Sequence, residues 1–300
     1  MSEIRPFLRN DREQLTDLVN AHIKAVIPGC SVAVATLVSV MERDPGEYVV
    51  DPWVIERETW VAIEDDRLVA AVHLHRYGSD SSVGPELQHA AGINWLVCWP
   101  AHVDAGRELM RVAVQRLDRW KPRVAMLDMS LPAPLAYGIH NAWPHLADLA
   151  VGAGFTDADG RTELQFVIAL DQIEQPSEAP IEGITMRRRL HAFGAAFTAK
   201  LEGREIGLLE VDDDITRHGS MLRNDGWADI SNIGIAEDYR GVGVASWLLC
   251  HAAAWLRLGA SRNLIGYVAD DETESELRAW HLANGFEELN RTRRGWTRVP

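Results

Sequence analysis

Apolar and polar positions follow two rhythms along this chain, and the rhythms recur in the same order in both halves. Residues 4–8 predict a short strand. Asn10 or Asp11 then caps a helix reaching about Val26, with Leu15, Leu18, Val19 and Ile23 at helical spacing. Pro28-Gly29 stops it, and a second apolar segment runs from Val32 to Met41. Trp60–Ile63 and Leu68–Leu74 alternate as strands around Glu64-Asp65-Asp66-Arg67, a hairpin. A strand over 92–99, a helix over 105–117, a strand over 124–129 and a helix over 142–151 follow. Gly154-Phe155 comes next, and a strand over 164–170 closes this half.

The polar stretch 171–181, with Pro176 and Pro180, reads as a linker between residues 1–170 and 182–300. Beyond it the order returns in shortened form. Strands are predicted over 184–190, 197–201, 205–211 and 229–235, and a helix over 244–258 ends at Gly259. A strand over 264–268, a helix over 274–284, Gly285-Phe286 and a strand over 296–299 complete it. Residues 281–286 (HLANGF) line up with 150–155 (AVGAGF), so the halves read as an internal repeat.

The composition sets bounds on this picture. Three hundred residues, 47% of them hydrophobic, suit two modest domains. No stretch approaches 18 apolar residues, and the polar start is no signal peptide, which predicts a cytoplasmic protein. Cys30, Cys98 and Cys250 are scattered among apolar residues and predict neither a disulfide framework nor a metal site. The net charge of −14 argues against nucleic acid or an anionic membrane as partner and suits a cationic amine.

The densest chemical signal is residues 230–249, ISNIGIAEDYRGVGVASWLL. A β-branched strand leads through a turn carrying Arg240, Gly241 and Gly243 into a helix starting near Val244. Such a turn aims backbone N–H groups and the positive end of a helix dipole at one point, which suits a pyrophosphate. Arg240-x-x-Gly243-x-Ala245 fits the [Gln/Arg]-x-x-Gly-x-[Gly/Ala] signature of the GCN5-related N-acetyltransferase (GNAT) superfamily, and the chain resembles that family. The hexapeptide occurs by chance on the order of 0.3 times in such a chain, and Arg223-x-x-Gly226-x-Ala228 matches it too. That second copy precedes a strand, so it presents no helix N-terminus.

The resemblance implies an α+β fold of two tandem GNAT-like domains. Each would be a mixed, mostly antiparallel twisted sheet flanked by helices, with a splayed strand pair at the cofactor site. Tandem members such as mycothiol synthase share this organisation. It implies acetyl-CoA as cosubstrate and acetyl transfer by direct attack to a primary amine of a small molecule or peptide. Ile233, Gly234 and Ile235 would bind the pantetheine arm, and Arg240, Gly241, Val242, Gly243, Val244 and Ala245 the pyrophosphate. Without gaps, the first half sets Ala101, Asp104 and Gly106 opposite Arg240, Gly243 and Ala245. A carboxylate there repels phosphate, so residues 1–170 are expected to be degenerate, serving as scaffold and acceptor side, and 182–300 to be catalytic. The second half also lacks the two helices that normally follow the first strand.

Amine acylation needs a base, a polarised carbonyl and an acid for the thiolate. Asp229, six residues before Ile235, takes the place of the family's carboxylate base, with Trp227, Ile230 and Ile233 to desolvate it; otherwise it is an exposed residue at a strand start. His281 stands where the family usually has a tyrosine, as acid or as a packed helix residue, and Glu274 replaces an asparagine. Asp212-Asp213-Asp214 and Asp270-Asp271-Glu272 either attract an ammonium group or are solvated loops. Trp95, Trp99, Trp227 and Trp280 either line an acceptor pocket or fill cores. A non-catalytic acyl-CoA-binding sensor is the alternative, a dinucleotide module is disfavoured without a βαβαβ series, and both monomer and homodimer remain open.

Overall fold

The computed structural model of the chain describes residues 2–42, 53–133, 135–157, 160–176, 178–191, 193–213, 222–223 and 226–299. In chain order the first elements are β1 (Glu3–Pro6), α1 (Arg12–Val26), β2 (Ser31–Val32), α2 (Val34–Glu42), β3 (Val54–Glu64), β4 (Arg67–Tyr77) and β5 (Ala90–Cys98). Then come α3 (Val103–Trp120), β6 (Val124–Leu127), β7 (Ile139–His140), α4 (Pro144–Gly152), β8 (Thr156–Asp157) and β9 (Thr162–Ala169). The remainder holds β10 (Thr185–His191), β11 (Gly194–Leu201), β12 (Arg204–Asp212), β13 (Leu222–Arg223), β14 (Trp227–Ile235) and α5 (Val244–Leu258). Last are β15 (Asn263–Ala269), α6 (Ser275–Ala283), β16 (Glu287–Arg293) and β17 (Trp296–Arg298).

Two compact units form, one from Met1–Thr162, Ser220–Arg223 and Arg291–Pro300, the other from Glu163–Gly219 and Asn224–Asn290. The first is built on a sheet of order β1-β3-β4-β5-β6-β17-β8. The apolar stripe of α1 (Leu15, Leu18, Val19, Ile23) and that of α3 (Leu109, Met110, Ala113, Leu117) are fully buried in it, as their 3.6-residue spacing requires. The second unit carries β10-β11-β12-β14-β15-β9-β16. Helix α5 closes its core, burying Val244, Leu248, Leu249, Ala252 and Leu256 with Phe197, Leu209, Ile230 and Leu264. Two residues join β10 to β11, so no helix follows the first strand of this unit.

The repeat is legible in the strand register. Ala70 opposes Cys98 on β4 and β5, and Gly207 opposes Ile235 on β12 and β14, an offset of 137 residues. A β-bulge at Asn94 recurs at Ser231 with the same offset. In each unit the next strand pairs in parallel only briefly: β5 with β6 up to Ile93–Leu127, β14 with β15 up to Asp229–Ile265. Beyond those pairs the strands part, and each unit has a split sheet.

The last strand of each half lies elsewhere than the linear pattern predicts. β9, expected to close the first half, pairs with β15 along its length, and β17 lies between β6 and β8. Alternation marks a strand but not its partner, so this exchange leaves no trace in hydropathy. Among the described residues no helix is long and apolar enough to cross a membrane, and no group of three His, Cys, Asp or Glu could hold a metal ion.

Candidate active site

The turn between β14 and α5 is built to leave donors free. Gly241 (φ +73°) and Gly243 (φ +91°) adopt left-handed backbone that L side chains rarely tolerate. Gly243 caps α5 without a side chain, and the first helical bond runs from Trp247 N–H to the Gly243 carbonyl at 2.9 Å. The N–H groups of Val244, Ala245 and Ser246 therefore have no intrahelical acceptor. A Cβ at Gly234 or Gly241 would meet nothing within 4 Å, so both backbones are open to approach. Val242 is exposed, Ala245 half-exposed, and Val244 is the buried pin of the helix start. That pin needs Gly207 on β12, where a Cβ would lie 3.0 Å from Val244 and 2.9 Å from Ile235. Sequence reasoning did not single out Gly207, which reads as an ordinary strand position. Arg240 is exposed, its Nε 3.4 Å from the Ile235 carbonyl and its guanidinium 3.7 Å from Glu276.

Ile233, Gly234 and Ile235 oppose Leu209, Leu208 and Gly207 of β12 on one edge. Their other edge faces the split. The first unit treats the equivalent edge quite differently. There the Asn94 carbonyl accepts from Ser130 N–H (2.6 Å), and Leu96 N–H lies 3.3 Å from the Met129 sulfur. Cys98, the counterpart of Ile235, donates its N–H to His22 Nε2 (3.3 Å) and accepts at its carbonyl from His145 Nε2 (2.9 Å). The first unit's split is thus sealed by its own side chains. Its turn is also four residues (99–102) against eight (236–243), so Ala101, Asp104 and Gly106 are not the counterparts of Arg240, Gly243 and Ala245. Gly106 instead lies inside α3, where a Cβ would be 2.9 Å from both Cys98 Sγ and Leu149. The second hexapeptide forms no helix start either: the Gly226 carbonyl accepts from Arg262 and Asn263, and Gly226 leads into β14.

Asp229 sits at the root of the second split, opposite Asp212 on β12 and Ile265 on β15. Its Oδ1 is buried with no partner among the described residues. Burial first, and the charge of Asp212 second, raise its pKa from 3.8 to about 7. Asp212 accepts from Ser231 Oγ (3.3 Å) and lies 3.8 Å from His191 Nε2. Tyr267, which the sequence reading passed over, follows Ile265 by two residues on the same face, beyond the point where β15 leaves β14. Burial and the carboxylates of Asp229, Glu163 and Asp212 raise its phenol above the ordinary value.

His281 is placed differently from the acid expected of it. It is 1% exposed, stacked on Phe166 (5.2 Å) and edge-on to Trp280 and Phe286. Burial lowers its pKa to about 4, so the ring is neutral near pH 7. Its Nδ1 is 2.8 Å from the Leu277 carbonyl, which fixes the proton there, and a Cβ at Gly266 would lie 2.4 Å from Nε2. No proton is left to give outward, and the acid role does not fit. Glu274 Oε2 accepts from Ala269 N–H (2.7 Å), and Asp271 caps the turn before α6 through Thr273 and Glu274 N–H. In the 270–272 run Asp271 is thus a cap and Asp270 pairs with Arg278 (3.1 Å), while Glu272 is exposed; Asp214 of the other run lies outside the described residues. Trp95 and Trp227 are buried in their cores.

No protein-family model and no curated protein matches this sequence. Solved structures do. A tandem GNAT protein from the clavulanic acid biosynthesis pathway superposes with a TM-score of 0.62 at 18% identity, covering 99% of this chain and 98% of that one. A GCN5-related N-acetyltransferase from Sphaerobacter thermophilus gives 0.59 at 14%, covering 99% and 94%. A glucosamine N-acetyltransferase region of a fungal multi-domain β-N-acetylglucosaminidase gives 0.59 at 13%, with 38% of that chain covered. The fold is that of a tandem GNAT protein, α+β with two mixed sheets.

Proposed function

We propose that this chain is an acetyl-CoA-dependent N-acetyltransferase acting on a primary amine of a small molecule or peptide, with one cofactor site, in the second unit. The observation that carries the reading is the open β14 edge, which lies beside an uncapped α5 N-terminus and a buried carboxylate poised near neutrality. The first unit also has a helix without a side-chain cap and a buried carboxylate, Asp128, raised to about 6, but its strand edge is occupied. Gly241, Val242, Gly243, Val244 and Ala245 would hold the pyrophosphate through backbone N–H groups, with Arg240 beside them. Ile233, Gly234 and Ile235 would hold the pantetheine arm along the strand edge.

When bound, acetyl-CoA would supply the thioester, whose C–S bond breaks as the acceptor nitrogen forms the amide. Asp229 takes a proton from the acceptor's ammonium so that the free amine attacks the thioester carbonyl; with a pKa near 7 it is part-ionised at neutral pH and can both accept and release it. Tyr267, protonated at that pH, is the side chain on this face that can return a proton to the departing thiolate. The second reading, an acyl-CoA-binding sensor without turnover, is favoured by one fact: His281 is locked in the core.

Titration calorimetry with acetyl-CoA, followed by release of free thiol over a panel of amines, tests both. Binding with thiol release that depends on an added amine supports the enzyme. Binding without turnover supports the sensor, and absence of binding overturns both.

A further inference from the structure

Strand β10 is the outermost strand of the second unit's sheet, and among the described residues no segment pairs with its outer edge. Its sequence is Thr-Met-Arg-Arg-Arg-Leu-His. Arg187, Arg188 and Arg189 are all exposed, and none makes an ion pair or hydrogen bond within the described chain. Three free guanidiniums in a row stand out in a protein of net charge −14.

Beside this edge lies a groove of about 400 Å³ between β10, β11 and α5. Met186 and Arg188 line it from the strand, Phe197 forms its floor, and His251, Trp255 and Leu258 form its helical wall. Leu258 is 84% exposed and Leu190, on the same face of β10 as Arg188, is 66% exposed. Apolar side chains of this size gathered beside a free strand edge are an interaction surface without its partner.

From this we infer that β10 and its groove are a docking site for an extended, acidic segment of a partner protein, added to the sheet as a further antiparallel or parallel strand. The backbone edge calls for a partner with amide groups at the 3.3–3.4 Å repeat of a strand. The groove takes apolar side chains at every second position, with Arg188 among its lining, and Arg187 and Arg189 on the opposite face take the carboxylates between them. A second copy of this chain is a poor occupant. Pairing β10 with itself would set the arginines of both copies against one another, and like charges directly opposite destabilise a ladder. Nucleic acid would satisfy the arginines but neither the strand edge nor Trp255 and Leu258, and the overall negative charge opposes it.

The test uses the whole chain and a fluorescein-labelled nonapeptide of alternating Glu and Val, followed by fluorescence polarisation. Saturable binding that weakens with salt is expected. Arg187→Glu with Arg188→Glu and Arg189→Glu should weaken it at least tenfold, and Leu258→Asp at least threefold. Both positions are solvent-exposed, and melting temperatures within about 2 °C of the parent would establish that the fold is intact. A Lys/Val nonapeptide, and a Glu/Val peptide with a central proline that cannot complete the ladder, should fail to bind. The inference is overturned by no saturable binding up to about 1 mM, by equal binding of the proline peptide, or by equal competition from a ten-base oligothymidine.

Discussion

Replacing Asp229 with Asn separates the catalytic and structural consequences of one buried carboxylate. Asn keeps the shape and removes the charge and the base. In the folded chain the carboxyl titrates at about 7, against 3.8 for the free group, and each tenfold change in proton affinity corresponds to about 1.4 kcal/mol. The sign follows from which state holds the proton. Below pH 4 both folded and unfolded states keep it, and Asp and Asn behave alike. Between pH 4 and 7 the unfolded carboxyl ionises while the folded one does not, so the parent loses stability as pH rises through the folded value. Above pH 7 the deficit is complete, with a ceiling of about 4 kcal/mol, less for the part of the side chain that water reaches. Asp229→Asn should therefore melt several degrees above the parent at pH 8 and together with it at pH 3.5. In the same protein kcat/KM should fall by about 10²–10⁴, and the parent's pH–rate profile should rise with an apparent pKa near 7. Asp212→Asn, which removes the neighbouring charge, should move that limb to lower pH. A full rate from Asp229→Asn at neutral pH, with no stability gain at pH 8, would refute both arguments.

Three further outcomes follow. Gly243→Asp forces a side chain into φ +91°, within 3.4 Å of Pro180, and sets a carboxylate on the free N–H groups; calorimetry should show acetyl-CoA binding weakened more than tenfold with circular dichroism unchanged. Acetyl-CoA should bind with a stoichiometry of one per chain, because the first unit's strand edge is already taken by His22, Met129 and His145; a stoichiometry of two measured in the same titration would contradict that. His22 and His281 titrate at about 4 and His73 at about 3, each pushed down chiefly by burial. Their folded values lie below the unfolded 6.5, so their stability contribution is present above that pH and is lost as pH falls. At pH 4.5 each costs about 2–3 kcal/mol, which together approach the whole stability of a typical domain. The urea midpoint should fall steeply between pH 6.5 and 4.5, and a flat midpoint would place these rings in water.

Much of this was legible in the sequence, and the residues say why. The elements around Leu15–Ile23, the Glu64–Arg67 hairpin and the Val244–Leu258 helix carry strong period or turn signals. The Arg240–Gly243 turn was legible because its glycines are required by backbone conformation, which composition records directly. The environment of Asp229 was legible too, since its neighbours Trp227 and Ile230 are apolar and buried. For His281 the sequence left acid and packed helix residue open, because family position says nothing of rotamer or of Gly266, the residue whose missing side chain admits the ring; the structure shows the packed one. The gapless alignment of the two turns failed because a four-residue difference in loop length is silent in hydropathy. Tyr267 escaped because a tyrosine on a strand reads as ordinary β-sheet composition.

The exchanged strands also set a clock on biosynthesis. Leu127 of β6 pairs with Trp296 of β17, and the 169 residues from Asp128 to Trp296 take roughly 8–34 s to emerge at about 5–20 residues per second. For that interval the nascent first unit carries a bare β6 edge, an invitation to foreign strands. Residues 163–169, meanwhile, leave the ribosome nearly a hundred residues ahead of the β15 strand that receives them. A ribosome pause placed after β6 would lengthen the hazard, and one placed after β17 would not.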